Sequence, residues 1–263
     1  MSFEILRYEA RHRVRSALGV SAAFSLMGLV FLALAPQIVA GSEVQGLADA
    51  LPPQFRAAFG LESLTSVEGL LAGEYYTLFW GLFFGIYLAY SAAESVAGDV
   101  DAHRMETLLA APVSRSRVLV EKFLSLLVPV LVASAVVPVV LYAGSWLVEE
   151  PLAVVDLAAL HVLSIPYLLC CGAIGLGCSV VFDRAETARN AAVGTLFGLY
   201  LLESLVVGSD VAWLGSLAPM HYFDPNAILV GGTYDLGGAL VLLGTTAALV
   251  LAGRVRFERM DVR

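Results

Sequence analysis

The feature that most constrains this chain is a series of uncharged apolar runs, each long enough to cross a bilayer, with the charges confined to short islands between them. A helix needs roughly 20 such residues to traverse the hydrocarbon layer. Of the 263 residues, 59% are hydrophobic and 14% charged, with a mean hydropathy of +0.82. Soluble domains carry about a quarter charged residues. Lipid leaves the backbone no solvent to bond, so spanning segments are helices or closed barrels. The runs lack the strand-length alternation of a barrel. The chain reads as an all-α membrane protein, one domain over 1–263.

Six transmembrane helices are expected, over 17–39, 75–93, 123–148, 157–182, 191–207 and 236–253. Pro129 and Pro138 are expected to bend the third, and Pro166 lies in the fourth. The first run follows Arg7, Arg11, Arg13 and Arg15 and shows no small-residue cleavage site, so it reads as a retained span rather than a signal peptide.

Orientation follows from Lys and Arg. The N-terminal tail, the 94–122 loop, the short loop with Arg184 and Arg189, and the C-terminal tail hold fourteen of the fifteen basic residues. Only Arg56 falls on the other side. This asymmetry puts both termini and the 94–122 loop in the cytoplasm. The opposite loops carry eleven acids, giving a strongly acidic outer face. No basic-aromatic patch suggests nucleic acid.

Phe3, Leu6, Ala10, Val14 and Ala17 step by three and four, which predicts an amphipathic helix over 1–16 lying on the inner membrane face before the first span turns upward. The 94–122 island reads as a short bounded helix. Asp99 or Asp101 is expected to cap its start. Met105, Leu108 and Leu109 form its apolar face, with Arg104 and Glu106 pointing elsewhere. Pro112 ends it, and Ser114 or Ser116 caps the next helix. A solvated hairpin between spans is the other reading of the same spacing. The outer loop, 208–235, is unusually apolar and is expected to dip into the membrane surface, possible re-entry included, or to pack on the spans.

The stretch from Glu94 to Lys122, with Asp99, Glu106, Leu108, Leu109, the run Ala111-Pro112-Val113-Ser114-Arg115 and Lys122, resembles the cytoplasmic loop of ABC-2 type transporter permeases. Ser216-Leu-Ala-Pro-Met-His-Tyr-Phe-Asp224 resembles the outer loop before that family's last span. The likeness is nearest to permeases of nitrous-oxide reductase maturation and related export systems. It implies six spans, an interfacial elbow helix, a coupling helix between spans 2 and 3, and short re-entrant helices in the outer loop. It also implies an exporter subunit in the plasma membrane, driven by a separate ABC ATPase and paired with itself or with another permease. The ATPase-coupling residues implied are Asp101, Arg104, Met105, Glu106, Leu108, Leu109, Pro112, Ser114 and Arg115.

The chain has no G-x-x-x-x-G-K-[ST] loop, so it is not expected to bind ATP or to be an enzyme. ATP is expected to act through the partner. Glu203, inside a predicted span, is a candidate for the translocation path or else reaches water at the outer end. His161 is the other path candidate, with a backbone-bonded interface residue as the favoured reading. Cys170, Cys171 and Cys178 lack metal-ligand spacing and read as small apolar residues, so no metal site is expected. Gly81-x-x-x-Gly85 and Gly194-x-x-x-Gly198 could permit close helix approach. Two other function classes are weaker. An ion-coupled secondary transporter wants midplane charges and an internal repeat, and an intramembrane enzyme wants an H-E-x-x-H or G-x-S-x-G motif.

Overall fold

The computed structural model describes residues 4–39, 66–105 and 113–259. Among the described residues every regular element is helical. Eight helices organise the described residues: α1 (Glu4–Val39), α2 (Val67–Asp101), α3 (Arg115–Leu124), α4 (Leu127–Leu147), α5 (Val154–Val181), α6 (Ala185–Val206), α7 (Pro225–Leu229) and α8 (Leu236–Glu258). Among the described residues five stretches are long and apolar enough to cross a membrane: α1, α2, α3 continued by α4, α5 and α8. The helix α6 forms where a sixth span was expected and has 22 residues, but Glu186, Arg189 and Glu203 interrupt its apolar character.

Two expected boundaries are corrected. First, no turn separates residues 4–16 from the first span. At about 1.5 Å per residue, the 36 residues of α1 outrun the roughly 30 Å hydrocarbon layer. Nothing between Val14 and Val20 breaks the hydrogen-bond ladder: proline is absent, and Gly19 has no neighbour within 4 Å of where a Cβ would stand. Along the expected stripe Leu6 and Ala10 are half-buried. Val14 is exposed, while Ala17, Ser21, Ser25, Gly28, Leu32 and Ala35 are buried.

Second, α2 does not stop near Ala93. It runs to Asp101 because Ala92, Ala93, Val96 and Ala97 keep an apolar face against α5. Ser179 Oγ of α5 accepts from the backbone N–H groups of Val96 (2.9 Å) and Ala97 (3.0 Å). Asp99 and Asp101 therefore sit in the last turn of α2 and do not cap a new helix. The helix is ended by His103, whose φ of 55° lies in the left-handed region, a frequent way to stop a helix. Residues 104–105 are again helical.

Pro129 divides the third span. Lacking an N–H, it leaves the carbonyl of Ser125 without its usual helical donor. The Val128 N–H bonds that carbonyl instead, at 3.2 Å, and the tightened turn separates α3 from α4. Pro138 sits inside α4 without ending it. Ser114 caps α3, accepting from the Arg117 N–H.

Between helices in lipid, packing and hydrogen bonds hold what water-driven burial holds elsewhere. Small residues set the closest approaches. Leu141 of α4 fills the space above Gly28 of α1, and Leu29 of α1 fills that above Gly144 of α4. A Cβ on Gly175 of α5 would stand 2.1 Å from the Ala89 carbonyl oxygen of α2, so these two backbones touch. Of the two expected small-residue pairs, Gly85 abuts Cys171 and Tyr167 while Gly81 abuts Met220. Gly194 and Gly198 face open space.

The core runs the length of the bundle around Tyr75, Tyr76, Trp80, Phe84 and Leu88 of α2. A second cluster closes the 104–114 end, where Met105, Leu119, Phe123 and Phe257 are buried together. The 208–235 loop packs on the spans. Its elements are tight turns at Ala212–Leu217 and Pro219–Tyr222 followed by α7. Phe223 stacks on Tyr167 at 5.3 Å, and Ile228 and Leu229 are buried. Tyr234 donates to the Asp156 carboxylate, and this bond raises the phenol pKa above its ordinary value.

A candidate coupling hub at the end of the bundle

The apolar face of α3 holds Val118, Leu119 and Phe123 in the core. That anchoring fixes where its charged residues point. Glu121 and Lys122 are almost completely buried, at 2% and 3% exposure. Burying such charges is costly unless each is paired and hydrogen-bonded, and both are.

Lys122 Nζ lies 2.8 Å from Glu9 Oε1 of α1 and 2.7 Å from Asp99 Oδ2 of α2. Asp99 Oδ1 in turn accepts from Arg104 at 2.9 Å. An acid in the last turn of a helix opposes the helix dipole, and here two cations offset it. Glu121 Oε2 accepts from the Leu6 N–H of α1 at 2.9 Å, and its other oxygen receives Arg117 Nε at 2.6 Å. Leu6 lies in the first turn of α1, where backbone donors have no helical acceptor and a carboxylate is favoured. On its other side α3 meets α8: Arg115 donates to the Phe257 carbonyl at 3.5 Å, and Ser116 bonds Glu258. The ten residues of α3 thus tie together the ends of α1, α2 and α8.

The residues expected to contact an ATPase are distributed unevenly. Asp101 is exposed at the end of α2. Arg104 is exposed but paired with Asp99. Met105, expected on a face presented to a partner, is completely buried in the cluster that includes Val96, Leu119 and Phe257. It is an internal anchor of that cluster, a role that the flexible methionine side chain suits. Ser114 and Arg115 lie at the start of α3. Glu106, Leu108, Leu109 and Pro112 lie outside the described residues. Sequence reasoning left Glu9, Glu121 and Lys122 out of the site. The signal for Lys122 was present: it is the chain's single lysine, set at the edge of an apolar run.

The two translocation-path candidates are not brought together. Glu203 stands near the end of α6 beside the 208–235 loop, where Oε1 lies 3.0 Å from His221 Nδ1. Its Oε2 presses on Gly215, where a Cβ would meet it at 2.1 Å. His161 is buried in α5 with Nδ1 2.9 Å from the Leu157 carbonyl oxygen, the backbone bond expected of it. Neither residue is among the described lining residues of the apolar cleft of about 590 Å³ between α5, α6 and α8, which Pro219 and Tyr222 of the 208–235 loop border. Cys170 and Cys171 are buried, and Cys171 touches Gly85. Among the described residues no three His, Cys, Asp or Glu side chains gather as a metal site.

No curated protein matches the chain. A family model described as "ABC-2 family transporter protein" matches residues 3–262, nearly the whole chain. The multi-pass helical architecture agrees with that match, and the chain belongs to the ABC-2 family of transporters, as a membrane-embedded permease subunit.

Proposed function

We propose that this permease is the membrane subunit of an ATP-driven exporter in the plasma membrane, coupled to a separate ABC ATPase through residues 94–122. The observation that carries the reading is the convergence on α3. Force applied to the 102–114 segment reaches α1 through Glu9, Glu121 and Lys122, α2 through Asp99, and α8 through Arg115 and Ser116. A buried ion-pair network is rigid only while every member is satisfied, which suits a connector that moves as one body. The exposed Asp101, Arg104 and Ser114 and the half-buried Arg115, with Glu106, Leu108, Leu109 and Pro112 in the same stretch of sequence, form the contact for the ATPase.

In this reading α6 is the sixth span. An even number of spans returns both termini to one side, in accord with the distribution of fourteen basic residues on that side. A second permease, identical or related, completes the transporter. The apolar cleft flanked by α6 and α8 supplies part of the path, and the turns over it form the outer gate.

The test is purification of the complex from its native membrane, followed by ATPase assay. An ATP-hydrolysing subunit should co-purify. Arg104→Glu should reduce its recovery at least tenfold while leaving the permease monodisperse. Recovery of the permease with no nucleotide-hydrolysing partner would overturn the reading. Orientation is checked by cysteine labelling in intact cells, where an impermeant maleimide should modify Asp210→Cys and spare Ser2→Cys.

A further inference from the structure

The outer half of α2 is wound unusually wide. Residues Leu71–Phe83 form π-helical turns, which are rare beyond a single turn and recur at functional sites. This winding places Tyr76 and Trp80 against the His161 ring of α5, with ring centres 5.4 and 4.8 Å away. All three side chains are buried, and each carries a polar atom without a protein partner: Tyr76 Oη, Trp80 Nε1 and His161 Nε2. Buried polar atoms are rarely left unpaired, and each one costs stability. Three in one ring cluster need an explanation.

His161 also lies on the floor of a groove of about 320 Å³ between α4 and α5, within the size range of small-molecule sites. Ser134 of α4 shares that groove, and its Oγ is likewise buried and unpartnered. The remaining described lining residues are Pro138, Tyr142 and aliphatic side chains. Val139, Val154 and Val162 at the rim are 67%, 54% and 61% exposed, so the groove opens sideways, toward lipid. His161 stands two turns into α5, roughly 10 Å from its first residue.

We propose that this groove binds a hydroxyl-bearing lipid drawn from the outer leaflet, its chain along the aliphatic walls and its hydroxyl at His161 and Ser134. The chemistry selects that class. His161 Nδ1 faces a carbonyl oxygen, which only accepts, so Nδ1 carries a proton. In the neutral ring Nε2 is then an acceptor, and a hydroxyl supplies the donor. The hydroxyl oxygen can accept from Ser134 in return. No charged residue is among the described lining residues, so nothing there holds an ionised phosphate head group. The proposal stands apart from the ATPase-coupling reading and survives its failure.

The test uses full-length protein in phosphatidylcholine nanodiscs, with Trp146→Phe and Trp213→Phe leaving Trp80 as the reporter. The probes are 2-bromodecan-1-ol and 2-bromodecane, whose bromine quenches a neighbouring indole. The alcohol should quench Trp80 saturably, at a concentration at least fivefold lower than the alkane. His161→Phe, which keeps a ring against Tyr76 and Trp80, should abolish that difference, and Ser134→Ala should reduce it. Should His161→Phe prove unstable, Ala158→Phe, which fills the groove, should abolish quenching by either probe. Equal quenching by alcohol and alkane, or quenching unchanged in these variants, would overturn the proposal.

Discussion

Lys122 Nζ sits 2.7 Å from Asp99 Oδ2, and Lys122 is only 3% exposed. The pair joins the end of α2 to the helix that leads into α4, with Glu9 of α1 on the lysine's other side. A buried cation with two carboxylates has little conformational freedom, so the three helix ends are held in one register.

Removing one member should therefore cost more than removing a surface charge. Lys122→Ala leaves Glu9 and Asp99 facing each other, while Asp99 keeps Arg104. The expected loss is about 3 kcal/mol, the lower end for breaking a buried pair. Lys122→Met, which keeps the packed stem, should lose less. Unfolding in mild detergent, followed by circular dichroism, measures both. Equal and negligible losses would show that the network is not structural.

The contact of Gly175 with Ala89 gives a packing prediction. Gly175→Ala places a Cβ against backbone that cannot swing aside. Overpacking costs of about 1–3 kcal/mol are usual, and this site should reach the upper end because α2 and α5 must part. Gly177→Ala, on the same helix with nothing within 4 Å, should be neutral or stabilising by up to about 1 kcal/mol, from helix propensity alone. Comparing the two melting temperatures separates close packing from a general effect of glycine.

Gly215 and Glu203 make a local prediction in the outer loop. Gly215→Ala drives a methyl into Glu203 Oε2 and displaces the carboxylate from His221. The partly exposed pair contributes on the order of 1 kcal/mol or less. Gly215→Ala and Glu203→Gln should therefore raise amide exchange in residues 212–222 by up to about fivefold, without changing exchange in α5. Unchanged exchange in both variants would remove Glu203 from the set of loop anchors.

Ser114 caps α3, so Ser114→Ala should destabilise that helix by about 1 kcal/mol. Ser114→Asp should retain the cap and add a favourable charge at the helix start. Amide exchange of residues 115–120 reports the difference. If α3 transmits the ATP cycle, the alanine variant should also lower transport per ATP hydrolysed more than it lowers ATPase recovery.

The sequence alone determined the helical class, the membrane environment, the order and approximate centres of the helices and the positive-side asymmetry. Each rests on run length or local charge, and needs no knowledge of what packs on what. A serine cap at Ser114 or Ser116 and a backbone bond for His161 were legible for the same reason: the observed partners, Arg117 and Leu157, lie within four residues of Ser114 and His161. Tertiary structure decided the rest. Val96 and Ala97 prolong α2 past Ala93 because Ser179, more than eighty residues away, accepts their N–H groups. Met105 is an anchor because it joins the buried cluster that also holds Phe257 of α8, and nothing in the local pattern distinguishes that from an exposed apolar face. Lys122 is buried because Glu9 and Asp99 arrive from two other helices. Periodicity reports which side of a helix is apolar, whereas pairing depends on neighbours that only the folded bundle brings together.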